Sequence, residues 1–114
     1  MSDTIFSKII RGELEADILY SDDDCIAFRD INPQAPIHVL IIPRKPIVSV
    51  ESIEDADAPL IGHLFAVARD LGRSLGVAES GYRLVINHGT DAGQTVSHLH
   101  VHLLAGRNMN WPPG

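Results

Sequence analysis

The chain has 114 residues, of which 45% are hydrophobic, and a formal net charge of −6 at pH 7. This length and hydrophobic content predict a single globular domain over residues 1–114 and exclude an intrinsically disordered protein. The negative charge disfavours nonspecific binding to nucleic acid or to anionic membranes, because both need a basic surface.

The cellular compartment is indicated by the cysteine content and by the N-terminal sequence. Cys25 is the only cysteine, so the chain cannot form an internal disulfide, which is typical of a reducing compartment. The first residues mix charges with apolar positions and lack the apolar core of a secretory signal. The longest apolar run, VLII at residues 39–42, is far shorter than the roughly 20 residues that span a bilayer. We therefore expect a cytoplasmic protein that does not bind membranes.

The N-terminal part of the chain predicts a short helix and a hairpin. Apolar residues at helical spacing predict a helix between a cap at Ser2 or Asp3 and an end at Gly12. Two short strands follow, around residues 18–20 and 25–29. The turn SDDD separates them, and its aspartates bond readily to turn backbone.

The middle of the chain predicts one buried strand and one long helix. Prolines forbid regular structure in residues 30–36, and the β-branched run HVLIIP at residues 38–43 predicts a buried strand. A polar connection leads to a helix over residues 58–75, whose apolar stripe covers one face of a sheet and whose end is marked by Gly76.

The C-terminal part predicts two more strands. They cover residues 82–87 and 98–105 and are joined by a glycine-containing loop over residues 88–97. The tail, residues 106–114, is too rich in glycine and proline for regular structure. The whole pattern predicts an α+β fold with an antiparallel sheet of about five strands and two helices.

The last strand contains the sequence HLHVHL, in which three of the six histidines occupy every second position. Side chains alternate along a strand, so His98, His100 and His102 would share one face. One interpretation is a solvated polar face on an edge strand, although histidine is not a favoured strand residue. A second is a metal site, but the outer two rings lie roughly 13 Å apart along a strand and cannot meet one tetrahedral ion.

A third interpretation is a catalytic row, in which the middle imidazole attacks and its neighbours bind, orient and protonate. Neutral imidazole is nucleophilic near pH 7, and a phosphoryl or nucleotidyl group on histidine is labile enough for water to release it. The preceding loop could then hold a phosphate with its backbone N–H groups, the Gln94 amide and the Thr95 hydroxyl, although the same loop would also serve as a plain strand connection.

Two further polar residues fit such a row, and each has an ordinary alternative. Asp30 could accept hydrogen bonds from the hydroxyls of a ribose, but it also suits an Asx turn. His38 could orient one of the other imidazoles, or it could be a satisfied core histidine. We assign no role to His63 or His88.

The signature HLHVHLL at residues 98–104 resembles that of the histidine-triad (HIT) family, His-x-His-x-His followed by two hydrophobic residues. The resemblance extends through DTIFSKIIRGE, DINPQAPIHVLIIPRK, YRLVINHGTDAGQTVSHLHVHLLAGR and the terminal WPPG. That tail is similar to the Hint branch, the purine nucleoside phosphoramidases, and differs from the dinucleoside polyphosphate hydrolases of Fhit type.

The resemblance implies a homodimer whose two sheets join into one continuous ten-stranded sheet. It also implies hydrolysis of purine nucleoside 5'-phosphoramidates to a nucleoside monophosphate and an amine, with no cofactor and no metal. His100 would be the nucleophile, and His102 would contact the phosphate and assist the leaving group. His98 and His38 would support the orientation and protonation of the row.

The same resemblance implies the residues that bind the nucleotide, with Asp30 at the ribose. The other expected contacts are Phe6, Ile9 and Ile31 for the base, Asn87, Gly93, Gln94 and Thr95 for the phosphate, and Trp111 for the far end of the pocket. Thr95 stands where some relatives have serine, and His88 where an acidic residue is common, which could alter the amines that are accepted.

Two other functions remain open at this point. One is a hydrolase or nucleotidyl transferase acting on dinucleoside polyphosphates. The other is a nucleotide-binding scaffold protein with incidental turnover, for which the acidic segment from Glu51 to Asp57 offers an unassigned surface.

Overall fold

The computed structural model describes residues 3–114. Five antiparallel strands form one sheet in the order β1-β2-β3-β5-β4. The strands are β1 (Ile18–Ser21), β2 (Cys25–Arg29), β3 (Ile37–Pro43), β4 (Tyr82–Val85) and β5 (Val101–Ala105). The helices are α1 (Ile5–Ile10), α2 (Ala58–Ser74) and α3 (Gly89–Ala92), and single 3₁₀ turns lie at Val50–Ser52 and Asp55–Asp57. The predicted α+β class is confirmed, with one helix more than expected. Within residues 3–114, no helix combines the length and the apolar character needed to cross a membrane.

Alternation of side chains along the strands divides the buried residues between the two faces of the sheet. The face that packs against α2 buries Cys25, Ala27, Val39, Ile41, Leu64, Val67, Ala68, Leu71, Leu99, Val101 and Leu103. The face that packs against α1 buries Phe6, Ile9, Ile26, Phe28, Leu40 and Ile42. The sheet is therefore covered on both sides, and the residues between the histidines belong to the α2 side.

Helix α1 begins one residue later than the sequence suggested. The cap is Thr4, whose Oγ1 accepts a hydrogen bond from the Ser7 N–H at 3.0 Å, while Ser7 Oγ accepts one from the Thr4 N–H at 3.2 Å. This reciprocal pair satisfies two of the free donors at the helix start. The prediction of Asp3 as the cap is wrong, and Ser2 lies outside the described residues. Gly12, at φ 75°, follows the helix end as predicted.

Strand β5 begins at Val101, whereas the sequence predicted a start at His98. The register pairs Ile41 with Val101, so continuing it would set His100 opposite Ile42 and then Leu99 opposite Pro43. Proline has no backbone N–H, and the ladder cannot continue there. The N–H of Leu99 instead donates to the carbonyl of Ile47 at 2.7 Å.

The connection between β4 and β5 also differs from the prediction. Strand β4 ends at Val85, two residues earlier than predicted. The loop that follows contains the helical turn α3, which ends at Gly93 in the left-handed conformation at φ 80°. Glycine adopts this conformation without steric cost.

Asp22, in the turn between β1 and β2, joins the hairpin to α2. Its Oδ2 accepts hydrogen bonds from the Tyr20 hydroxyl at 2.7 Å and from Nε2 of His63 on α2 at 2.6 Å. Its Oδ1 accepts from the N–H groups of Asp24 and Cys25. Burial raises the pKa of Asp22, but these hydrogen bonds outweigh it and hold the pKa below its usual range.

We expect Asp22→Ala to lower the free energy of unfolding by about 1 to 2 kcal/mol, because its donors lose their common acceptor and the site is only partly buried. Urea denaturation at pH 7 measures this difference. The contribution should be complete above the unfolded pKa of about 3.9 and should decline as the pH falls toward the lower folded value. Asp23→Ala, at an exposed neighbouring position, is the control; equal stability of the two variants would contradict the assignment.

Candidate active site

A cavity of about 360 Å³ opens between α1 and the sheet. Its walls contain Ile5, Phe6 and Ile9 of α1, Phe28 and Arg29 of β2, His38 and Leu40 of β3, His102 of β5, and, from the connecting segments, Leu14, Glu15, Ala16, Asp30, Ile31, Asn32, Gln34, Thr95, Val96 and His100. Eight of these are residues that the sequence analysis proposed for the site: Phe6, Ile9, Asp30, Ile31, His38, Thr95, His100 and His102. Much of the cavity wall is apolar, and the imidazoles of His38, His100 and His102 lie together in one part of it. A mainly apolar cavity with a few grouped polar side chains is typical of a ligand site.

His100 is buried, with 6% of its surface exposed, and its ring orientation is fixed. Nδ1 lies 2.7 Å from the carbonyl oxygen of His98. A carbonyl oxygen only accepts, so Nδ1 carries the proton and Nε2 of the neutral ring has a free lone pair. The Phe6 ring packs edge-on against His100 at 5.0 Å between centroids. His100 therefore offers a nucleophilic nitrogen from a held ring at the cavity wall.

His38 and His102 form a second ordered pair across the β3–β5 ladder. The Gln34 N–H donates to Nδ1 of His38 at 3.0 Å, so the neutral ring carries its proton on Nε2. That nitrogen lies 2.9 Å from Nδ1 of His102. His38 donates, His102 accepts, and the proton of the neutral His102 ring is consequently on Nε2.

Nε2 of His102 is buried and has no hydrogen-bond partner among residues 3–114. A buried N–H without an acceptor is costly, and here it belongs to a residue in the cavity wall. Burial, with smaller effects from His100 and His38, lowers the pKa of His102 to about 4. The free protein thus presents a neutral N–H donor that an oxygen or nitrogen of a ligand could satisfy.

His98 differs from the other two members of the row, because it does not line the cavity. Its Nε2 donates to the carbonyl oxygen of Pro43 at 2.8 Å, and the residue is 2% exposed. Burial lowers its pKa, although the Pro43 carbonyl opposes that change. His98 anchors the segment before β5 to the end of β3, and its own carbonyl oxygen orients His100.

Asp30 lies in the cavity wall beside His38. Its Oδ1 accepts from the Asn32 N–H at 2.9 Å, and its Oδ2 is 3.5 Å from Nε2 of His38. Burial lowers the pKa of His38, and the Asp30 carboxylate opposes this only in part. Asp30 therefore forms the Asx turn and also lies in the cavity wall, so the two interpretations do not exclude each other.

Gln94 does not line the cavity, and its side chain is fully engaged in hydrogen bonds. Nε2 donates to the carbonyls of Val48 at 2.9 Å and Val96 at 3.0 Å. Oε1 accepts from the Ser49 hydroxyl at 2.7 Å and from the Gly89 N–H at 3.2 Å. Its visible function is to hold the loop that carries Thr95.

His88 completes this network, although no role was predicted for it from the sequence. Ser49 is buried and donates its single hydroxyl proton to Gln94, so it accepts from Nδ1 of His88 at 2.7 Å. The segment after β3 is thereby fastened to the loop before the histidine row.

Three other proposed residues lie away from the cavity walls, namely Asn87, Gly93 and Trp111. Gly93 ends α3. Trp111 is 81% exposed, and its ring lies 6.0 Å from the guanidinium carbon of Arg83 on β4. The tail around Trp111 has no regular structure, as predicted.

Several wall residues were not predicted from the sequence. Phe28 of β2 is two positions before Asp30, which directly follows that strand, and Leu40 is two positions after His38 on β3, so the alternation of side chains could have identified both. The N–H of Gln34 that fixes His38 is a backbone group, and no residue pattern indicates it.

In the part of the chain that the structure describes, two groups of side chains bring metal-ligand atoms within 4.8 Å of one another: Asp30, His38 and His102, and Asp22, Cys25 and His63. In the first, the bond between His38 and His102 uses one nitrogen of each ring. In the second, the carboxylate already accepts four hydrogen bonds. A cation would have to break these bonds.

Comparison with known proteins identifies related sequences and folds. The model of the HIT domain family matches residues 11–109. A HIT-like protein of Synechocystis is 54% identical over 112 residues, which cover 98% of this chain and 97% of that protein.

Solved structures agree with this match. A HIT family hydrolase from Legionella pneumophila superposes with a TM-score of 0.96 at 46% identity, covering 98% of this chain and all of that one. A histidine triad nucleotide-binding protein from Candida albicans gives a TM-score of 0.83 at 31% identity, covering 98% of this chain and 85% of that one.

Proposed function

The chain belongs to the HIT family, and on this basis we propose that it hydrolyses purine nucleoside 5'-phosphoramidates to a nucleoside monophosphate and an amine. The observation that carries the proposal is the pair of complementary nitrogens in one cavity wall. His100 presents a lone pair on Nε2, and His102 presents a buried, unpartnered N–H. The assignment to the Hint branch, with purine nucleotides as substrates, rests on the sequence resemblance.

In the first step, Nε2 of His100 attacks phosphorus and the bond from phosphorus to the amine nitrogen breaks. The anionic phosphoryl group of a bound substrate favours an additional proton on the His38–His102 pair, against the burial that lowers both pKa values. With this proton His102 carries an N–H at both nitrogens, so His38 moves its own proton from Nε2 to Nδ1 and gives up the bond from the Gln34 N–H. His102 then transfers the proton on its Nε2 to the departing nitrogen, and the amine leaves neutral.

In the second step, water attacks the phosphorus of the nucleotidyl-histidine. His102 takes up a proton from this water, and His100 leaves as a neutral imidazole with its Nδ1 proton in place. The nucleoside monophosphate is released and the row returns to its starting state. No cofactor is needed to balance either step.

The remaining wall residues suit a nucleotide. Asp30 lies beside His38 and can accept hydrogen bonds from the ribose hydroxyls. Phe6, Ile9 and Ile31 supply apolar contact for the base. We assign the Thr95 hydroxyl to the phosphate. Asn87, Gly93 and Gln94 would not contact the phosphate directly but would hold the loop that carries Thr95 in its conformation.

We also propose that the chain forms a homodimer through β4. This strand is an edge of the sheet, and unpaired edge strands pair readily with another chain. The opposite edge, β1, is interrupted by a shift in register between Ile18 and Tyr20. Trp111, which is exposed beside Arg83 of β4, would then contact the partner.

The dimer should be visible as a particle of twice the 12.4 kDa chain mass in light scattering after size-exclusion chromatography. Replacing Leu84 in β4 by proline removes a backbone donor, but it also breaks the pairing with Leu103, so folding must be checked by circular dichroism. A wild-type monomer at micromolar concentration would contradict the proposal.

We expect the wild-type protein to hydrolyse an adenosine 5'-phosphoramidate with a fluorescent amine, in buffer treated with a chelator. His100→Ala should lower kcat by about 1,000-fold or more, because the covalent route is lost. Binding of adenosine monophosphate to the variant, measured by calorimetry, should remain within a few fold of wild type.

His63→Ala is the matched control, because it removes an imidazole that bonds to Asp22 outside the cavity. Its turnover should stay near that of wild type. Near-normal turnover by His100→Ala would refute the covalent mechanism. Turnover of diadenosine triphosphate alone would favour the dinucleoside polyphosphate hydrolase, and nucleotide binding without any turnover would favour the scaffold.

A further inference from the structure

Glu15 is a carboxylate in the cavity wall that the proposed chemistry does not use. The only other carboxylate there is Asp30, which accepts from the Asn32 N–H and lies beside His38. Glu15 is exposed at the rim of the cavity, and its carboxylate forms no ion pair within residues 3–114. By contrast, neighbouring Glu13 is paired with Arg11.

Glu15 lies among apolar residues that are unusually exposed. Its neighbours Leu14 and Ala16 line the same cavity, and Leu14 is 45% exposed. Ile31 is 95% exposed and Ile5 is 50% exposed in the same wall. Exposed apolar groups around an open cavity are typical of a binding site for a flat aromatic ligand.

The orientation of a bound nucleotide follows from the other wall residues. The phosphate must approach His100 and His102, and the ribose hydroxyls are assigned to Asp30. The base then extends into the apolar part of the cavity, where Glu15 and Arg29 are the remaining charged residues. Arg29 is already 3.3 Å from a carboxylate oxygen of Asp17, so Glu15 is the charged group free to contact the base.

Guanine and adenine differ in what they offer to a carboxylate. Guanine presents two adjacent donors, N1–H and the exocyclic amino group, which match the two oxygens of a carboxylate. Adenine presents one amino donor beside a bare nitrogen, whose lone pair a carboxylate repels. A carboxylate at the edge of the base slot therefore discriminates between the two purines.

We propose that Glu15 makes this protein selective for guanosine nucleotides, by accepting hydrogen bonds from N1–H and the amino group of guanine. The inference rests on the proposed function for the orientation of the nucleotide. It assigns Glu15 as a specificity-determining residue and names guanosine phosphoramidates as the preferred substrates.

The test is titration calorimetry of the full chain with guanosine, inosine and adenosine monophosphates, for wild type and Glu15→Gln. Wild type should bind guanosine monophosphate about tenfold more tightly than adenosine monophosphate, the effect of one hydrogen bond to a charged group. Inosine monophosphate lacks the amino group and should fall between them. Glu15→Gln should reduce the preference to within about twofold.

Glu13→Gln is the matched control, because it neutralises an exposed carboxylate two residues away that does not line the cavity. It should retain the guanine preference, which separates contact from general charge. Hydrolysis of guanosine and adenosine phosphoramidates with the same amine should follow the same ratio in kcat/KM.

The outcomes separate this inference from the proposed function. If wild type prefers guanosine monophosphate, Glu15→Gln abolishes that preference, and wild type hydrolyses no phosphoramidate, then base recognition by Glu15 is supported and the phosphoramidase activity is refuted. Hydrolysis with equal use of both purines, or a preference that Glu15→Gln leaves intact, would overturn the role of Glu15 alone. Failure to bind any of the three nucleotides would overturn both.

Discussion

The hydrogen bond between the rings of His38 and His102 is the constraint on which the chemistry of the site depends. It crosses the β3–β5 ladder, and its direction is set at one end by the N–H of Gln34. His38 is buried and His102 is half-buried, so the neutral forms are favoured and a single proton arrangement follows. The result is a donor at Nε2 of His102 that faces no acceptor within the described chain.

The complementary arrangement at His100 depends on where the strand begins. Pro43 prevents the ladder from reaching Leu99, and the segment before β5 turns toward Ile47. In this irregular backbone the carbonyl of His98 is free to accept from Nδ1 of His100. In a regular strand the His98 carbonyl would accept a hydrogen bond from the neighbouring strand instead. The late start of β5 therefore allows the bond that fixes the Nδ1 proton of His100 and leaves its Nε2 lone pair free.

Local patterns predicted the order of the main elements and the faces of the sheet. The alternation in HLHVHL correctly separated the histidines from Leu99, Val101 and Leu103, which are buried on the α2 side. The start of β5 and the engagement of Gln94 were not predictable, because they depend on Pro43 and Ser49, which are far away in the sequence. The possible roles of the histidine row, His38, Asp30, Gln94 and Thr95 came from residue chemistry together with the family resemblance, those of the other site residues came from the resemblance alone, and all of them stay predictions.

Titration of the histidine rings by ¹⁵N NMR tests whether burial and hydrogen bonding fix the proton positions of His100 and His102. We expect His102 to remain neutral down to about pH 4, with its proton on Nε2, and neutral His100 to carry its proton on Nδ1. A His102 ring that titrates near the ordinary value of about 6.5, or a His100 proton on Nε2, would contradict it.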